Sequence, residues 1–137
     1  MQTSKSKWLA YTVLVGLIPI LTRFLVWITT KGGVVENFVP ADFIAFGLVL
    51  HISIINEIEH LSKPKDREWK SIQNGTSVIF IALYSALYSL ILIGERNKDL
   101  IDNTVLLHSA VSLSFISLIL SLAIFHRISN SEARVEE

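Results

Sequence analysis

Cysteine is absent from the 137 residues. That absence excludes disulfides, thiolate metal sites, covalently attached c-type haem and cysteine nucleophiles together. Charge is scarce, at 18% of residues, and it cancels: twelve basic side chains face twelve acidic ones. Direct nucleic-acid binding, which relies on an excess of clustered Lys and Arg, is not expected from such a balance. Glycine (6) and proline (3) are few, so long irregular stretches are not expected either. What abounds is apolar: 51% of the chain, with a mean hydropathy of +0.53. A water-soluble domain of this size must keep a polar surface and seldom reaches such a value.

Four apolar stretches are each long enough, at about 20 residues, to cross roughly 30 Å of hydrocarbon. They run over about 8–29, 40–61, 76–93 and 104–125. The expected fold is therefore all-α: a single integral membrane domain, 1–137, built as a bundle of four transmembrane helices. A loop over about 62–75 and a tail over 126–137 are the soluble remainder, too short for a domain of their own. Lys31-Gly32-Gly33 suits a helix C-cap, Pro40 a helix start, Asn74-Gly75 a break before the third span, and Asp102-Asn103-Thr104 an N-cap. Pro19, three residues after Gly16, is expected to kink the first helix. The first span is read as retained rather than cleaved, because its apolar run exceeds a usual signal h-region and no A-x-A-like site follows.

Orientation follows from lysine and arginine counts. With the N-terminus inside, eight fall on the cytoplasmic side (Lys5, Lys7, Lys63, Lys65, Arg67, Lys70, Arg127, Arg134) against Lys31, Arg96 and Lys98 outside. A multi-pass protein of the inner (plasma) membrane with both termini cytoplasmic is the expectation.

Ionisable residues at membrane depth are costly, so each is a candidate site. Arg23 lies about one turn inside Trp27, which with Trp8 marks the two interfacial belts about 28 Å apart. Its side chain either snorkels to the headgroups or pairs with Asp42, near the same interface. His51 falls about 13 Å deeper than Asp42, near the midplane. It either bonds a serine or tyrosine of a neighbouring helix or serves as a ligand, proton-transfer or pore-lining group. Ser53, Asn56, Glu57 and His60 recur at i, i+3, i+4 and i+7 and form one polar stripe. That stripe is either the wet end of the second helix or the lining of a vestibule.

Cofactor templates fit poorly. Glu57-x-x-His60 has the spacing used in di-iron bundles, but those need a second such motif and two more glutamates. Bis-histidine haem needs two histidines at one depth, and only His60 and His126 approach that. Gly-rich phosphate loops, G-x-S-x-G and H-E-x-x-H are all missing. The reading is a non-enzyme without cofactor or metal.

Small residues mark helix packing. Ser85 and Ser89 on the third span, and Ala110, Ser114, Ser117 and Ser121 on the fourth, have the spacing of close-packed seams; a serine-lined conduction path is the rival reading. At 15.4 kDa one such bundle is thin, and a homo-oligomer embedded in lipid is expected. Two functions stay open. One is a membrane platform for a cytoplasmic protein, bound through Lys63, Lys65, Arg67, Trp69 and Lys70, with Trp69 as anchor. The rival placement lays Trp69 flat on the headgroups among lipid-attracted lysines. The other function is a small oligomeric ion channel or proton-linked transporter using His51, Glu57 and His60.

In size, four-crossing layout, lack of cysteine and inferred cytoplasmic termini, the whole chain resembles the small inner-membrane proteins of bacterial phage-defence systems, the KwaA and RexB types among them. The first type implies a homo-oligomer that senses membrane disturbance and holds a cytoplasmic effector. The second implies an ion-conducting, depolarising role. The resemblance is architectural and carries no residue assignments.

Overall fold

A computed structural model describes residues 2–60 and 67–133, with side chains over 6–60 and 67–130. Among the described residues the chain is all-helical: α1 (Gln2–Thr29), α2 (Pro40–Glu59), α3 (Arg67–Arg96) and α4 (Asn103–Ala133). Each is long and apolar enough to span a membrane, which makes this a multi-pass architecture. Contacts fix the directions. Arg23 meets Asp42 while Thr12 meets Ser53, so α1 and α2 are antiparallel. His51 meets Ser77 on α3 and Ser117 on α4, and Tyr84 also reaches Ser117. The helices run up-down-up-down, so one end of the bundle carries the start of α1 and the end of α4 and the other carries the loops 30–39 and 97–102.

α2 is the central helix. It packs on each of the other three, while α1 and α3 do not meet among the described residues. The reason is its composition. Ile44, Gly47, Leu50, His51, Ile54 and Ile58, spaced three and four apart, put a buried stripe against α3 and α4. α1 is mostly exposed, as a lipid-facing helix can be, and runs unbroken through Pro19. Gly16 lets α1 approach closely: a Cβ there would come within 2.7 Å of the Phe46 ring.

Three expectations need correction. The helix that carries the third apolar stretch does not begin at Thr76. α3 starts at Arg67, and Asn74 and Gly75 lie inside it. A glycine within a helix costs about 1 kcal/mol relative to alanine. Here tertiary packing offsets that: Trp69 lies on the cluster Ile54, Ile58, Ile124 and Ile128, and Arg127 stacks over its ring at 4.6 Å. α4 likewise continues beyond Phe125 to Ala133, so residues 126–133 are helix rather than tail. At about 1.5 Å per residue α3 and α4 are each roughly 45 Å long, well over the hydrocarbon thickness.

Second, Trp69 is not a freely projecting side chain: it is half-buried against the isoleucine cluster of α2 and α4, with part of its ring still accessible. Arg67 is exposed on the first turn of α3, and Lys70 is half-buried one turn on. Lys63 and Lys65 lie outside the described residues. Third, Ser85 and Ser89 do not pack helices within this chain. Both are exposed and donate to carbonyls one turn back, Ile81 and Ser85, at 2.8 and 3.0 Å. The inner face of α3 passes through Ser77, Tyr84 and Gly94, roughly a quarter-turn from them. On α4 the seam is interior: Ala110, Ser114, Ser117 and Ser121 are all 4% exposed or less.

Candidate functional site

His51 is fully buried and bonds through both ring nitrogens: Nδ1 is 3.2 Å from Ser77 Oγ, and Nε2 is 2.9 Å from Ser117 Oγ. Tyr84 Oη lies 2.7 Å from the same Ser117 oxygen. The protons can be assigned by elimination. Ser117 Oγ is 2.9 Å from the Leu113 carbonyl, which can only accept, so the Ser117 proton goes there. The oxygen then has only lone pairs left, and both His51 Nε2–H and Tyr84 O–H donate to it. Nδ1 is thereby the acceptor for the Ser77 hydroxyl. Every polar atom of the set is satisfied by a neutral group, in one tautomer. The Phe80 ring stacks on the imidazole at 4.7 Å. The set ties α2, α3 and α4 together, with hydroxyls rather than carboxylates bonded to the imidazole.

At the loop end Arg23 Nε donates to Asp42 Oδ2, so the two groups form an ion pair with side-chain exposures of 33% and 13%. Beside it lies an open pocket of about 780 Å³ lined by residues of all four helices and the loops 30–39 and 97–102. Its wall carries Arg23, Glu36, Glu95 and Lys98 among aromatic and aliphatic side chains. Phe24 stacks on Phe38 at 6.3 Å and meets Trp27 at 5.6 Å, which holds that loop against α1. Asp102 caps α4 there, its Oδ1 accepting from the N–H groups of Thr104 (2.9 Å) and Val105 (3.2 Å).

The ion pair is asymmetric, and that gives a prediction. Asp42 has a short stem and little exposure, whereas a long arginine can reach water by itself. Arg23→Gln strands the carboxylate and is expected to destabilise by about 1–3 kcal/mol, the range for an unsatisfied buried polar group. Asp42→Asn is expected to cost less, and the double variant to lie nearer the wild type than Arg23→Gln alone. Thermal unfolding in detergent of the three variants decides it; equal losses for the two single changes contradict this account.

The other sequence candidates lie elsewhere. Ser53 bonds Thr12 of α1 at 2.8 Å, Asn56 and His60 are exposed, and Glu57 is half-buried. His60 Nδ1 is 2.7 Å from the Asn56 carbonyl, the closing turn of α2. Ser53 faces α1 and Asn56 and His60 are exposed, so these three do not line the interior of this bundle. His126 Nε2 contacts Asn130 at 3.0 Å. Among the described residues no three His, Asp or Glu side chains gather closely enough to hold a metal ion. Sequence reasoning missed Ser77 and the role of Gly47, whose missing side chain admits the Tyr84 ring. It also missed Gln73 and Asn74, whose amide oxygens are buried without a hydrogen-bond partner among the described residues, one turn from Ser77. No family model, curated protein or solved structure matches the chain.

Proposed function

We propose that this protein is a non-enzymatic, oligomeric membrane subunit that anchors a cytoplasmic partner and relays a membrane-borne stimulus to it. The observation that carries the reading is the prolongation of α3 and α4 beyond the span length, joined at the chain-ends end by Trp69, Arg127 and the isoleucine cluster. Two helices so joined form a rigid stub rather than a loose loop. The positive-inside bias puts this stub in the cytoplasm, with Arg67 and Glu68 exposed on its first turn. The interior of the bundle, filled by Leu50, Ile54, Ile58, Tyr84 and the His51 set, supports an anchor over a pore through one chain. The architectural resemblance makes bacterial antiviral defence at the inner membrane the setting in which to look.

The test is mild purification of the tagged protein from its host, followed by the intact mass of the assembly. A stoichiometric soluble protein is expected to co-purify, and Arg67→Glu with Glu68→Arg is expected to lower its recovery about tenfold, the scale of one lost charge-assisted contact. A homo-oligomer without a partner, whose ion flux changes in Glu57→Gln, overturns the reading in favour of a channel formed between copies.

A further inference from the structure

The cavity at the loop end has a chemistry that the platform reading does not use. It lies where the apolar spans give way to the polar loops: α1 stops at Thr29, α2 starts at Pro40, α3 stops at Arg96 and α4 starts at Asn103. In a bilayer that is headgroup level. About 780 Å³ is within the usual size of a small-ligand pocket. Its charged wall has both signs. Arg23 uses Nε on Asp42, which leaves the two terminal NH₂ groups of the guanidinium without a protein partner among the described residues. Lys98 adds a second cation. Glu36 and Glu95 are exposed carboxylates lining the same pocket, and neither has an ion-pair partner among the described residues. Deeper in, Ile91 and Leu107 supply an apolar surface.

An open pocket lined by cations and carboxylates, with aliphatic side chains a turn deeper, suits a zwitterionic amphiphile. A planar guanidinium favours a phosphate diester. Carboxylates can accept hydrogen bonds from a primary ammonium but not from a quaternary one. We propose that the loop-end cavity is a binding site for a phosphoethanolamine headgroup, taken from a membrane phospholipid, with Arg23 and Lys98 on the phosphate and Glu36 and Glu95 on the ammonium. Ile91 and Leu107 cover the start of the acyl chains. The site rests on the loop end alone and does not depend on a partner at the opposite end.

The experiment uses the full-length chain in a lipid-free detergent, read by native mass spectrometry and thermal unfolding. Phosphatidylethanolamine, phosphatidylcholine and phosphatidylglycerol are added separately, with water-soluble glycerophosphoethanolamine as a fourth arm. The expected result is one phosphatidylethanolamine retained per protomer with a raised Tm, the other two lipids bound about tenfold more weakly, and little effect of the soluble compound. Glu36→Gln with Glu95→Gln, at two exposed positions, is expected to erase the preference for ethanolamine over choline. Equal retention of all three lipids means an annular lipid only and overturns the proposal. So does a preference for phosphatidylglycerol, an ethanolamine preference that survives the double variant, or a soluble headgroup that binds as well as the lipid.

Discussion

Gly47→Ala is expected to destabilise the bundle by about 2 kcal/mol net, although two effects of opposite sign compete at this position. Alanine in place of glycine within a helix ordinarily adds up to about 1 kcal/mol of stability. Against that, a Cβ built on Gly47 overlaps the Cζ and Oη atoms of Tyr84. Overpacking a filled core costs typically about 1–3 kcal/mol. The upper end applies here because the ring has no exit. Tyr84 is fully buried, clusters with Ile44 and Ala110, and is tethered through its hydroxyl to Ser117. The steric term wins, and it also breaks that tether. Thermal unfolding in detergent, with size-exclusion profiles as a check on assembly, measures the loss. Tyr84→Phe in the Gly47→Ala background should rescue little, because the overlap at the ring remains. Tyr84→Ala removes the overlap but empties a fully buried site, so the double variant is expected to be more stable than the sum of the two single losses predicts. A Gly47→Ala protein at least as stable as the wild type rules out the proposed close approach of α2 and α3.

That contact also shows where sequence reading stops. The four spans were legible because hydropathy is local and a window of about 20 apolar residues is a strong signal. The Asp102 cap was legible for the same reason, being a short-range bond within one turn. The start of α3 was not. Asn74-Gly75 reads as a break on propensity, and only the long-range packing of Trp69 on α2 and α4 carries the helix back to Arg67. Small-residue spacing identified the Ser114, Ser117 and Ser121 seam but pointed equally to Ser85 and Ser89, which lie on the outside. Spacing gives a face without saying what the face meets. At the candidate sites, depth alone singled out His51 and the nearness of Arg23 to Asp42. Ser77, Tyr84 and Gly47 needed the register between helices, which no single segment encodes.

The largest effect expected from a polar change is at Ser117, which ranks above the histidine's other partner. Hydrogen bonds between membrane helices average only about 0.6 kcal/mol, with a maximum near 1.7, because the unfolded state in lipid finds substitutes. Ser77→Ala removes one donor to His51 Nδ1, so it should cost less than about 1 kcal/mol. Tyr84→Phe, which removes one donor to Ser117, should cost the same. Ser117→Ala differs in kind. It removes the acceptor shared by His51 Nε2–H and Tyr84 O–H, leaving two fully buried donors without that partner. Stranded donors cost about 1–3 kcal/mol each in proteins generally. Given the smaller membrane values, about 2–3 kcal/mol for the pair is the expected sum. Non-additivity is the decisive readout. Adding Tyr84→Phe to Ser117→Ala deletes one stranded hydroxyl, so the double variant should be more stable than the sum of the two losses predicts. Unfolding free energies for both single changes and the pair complete the cycle. Simple additivity means that Tyr84 and His51 do not share Ser117, and the proton assignment of the buried set fails with it.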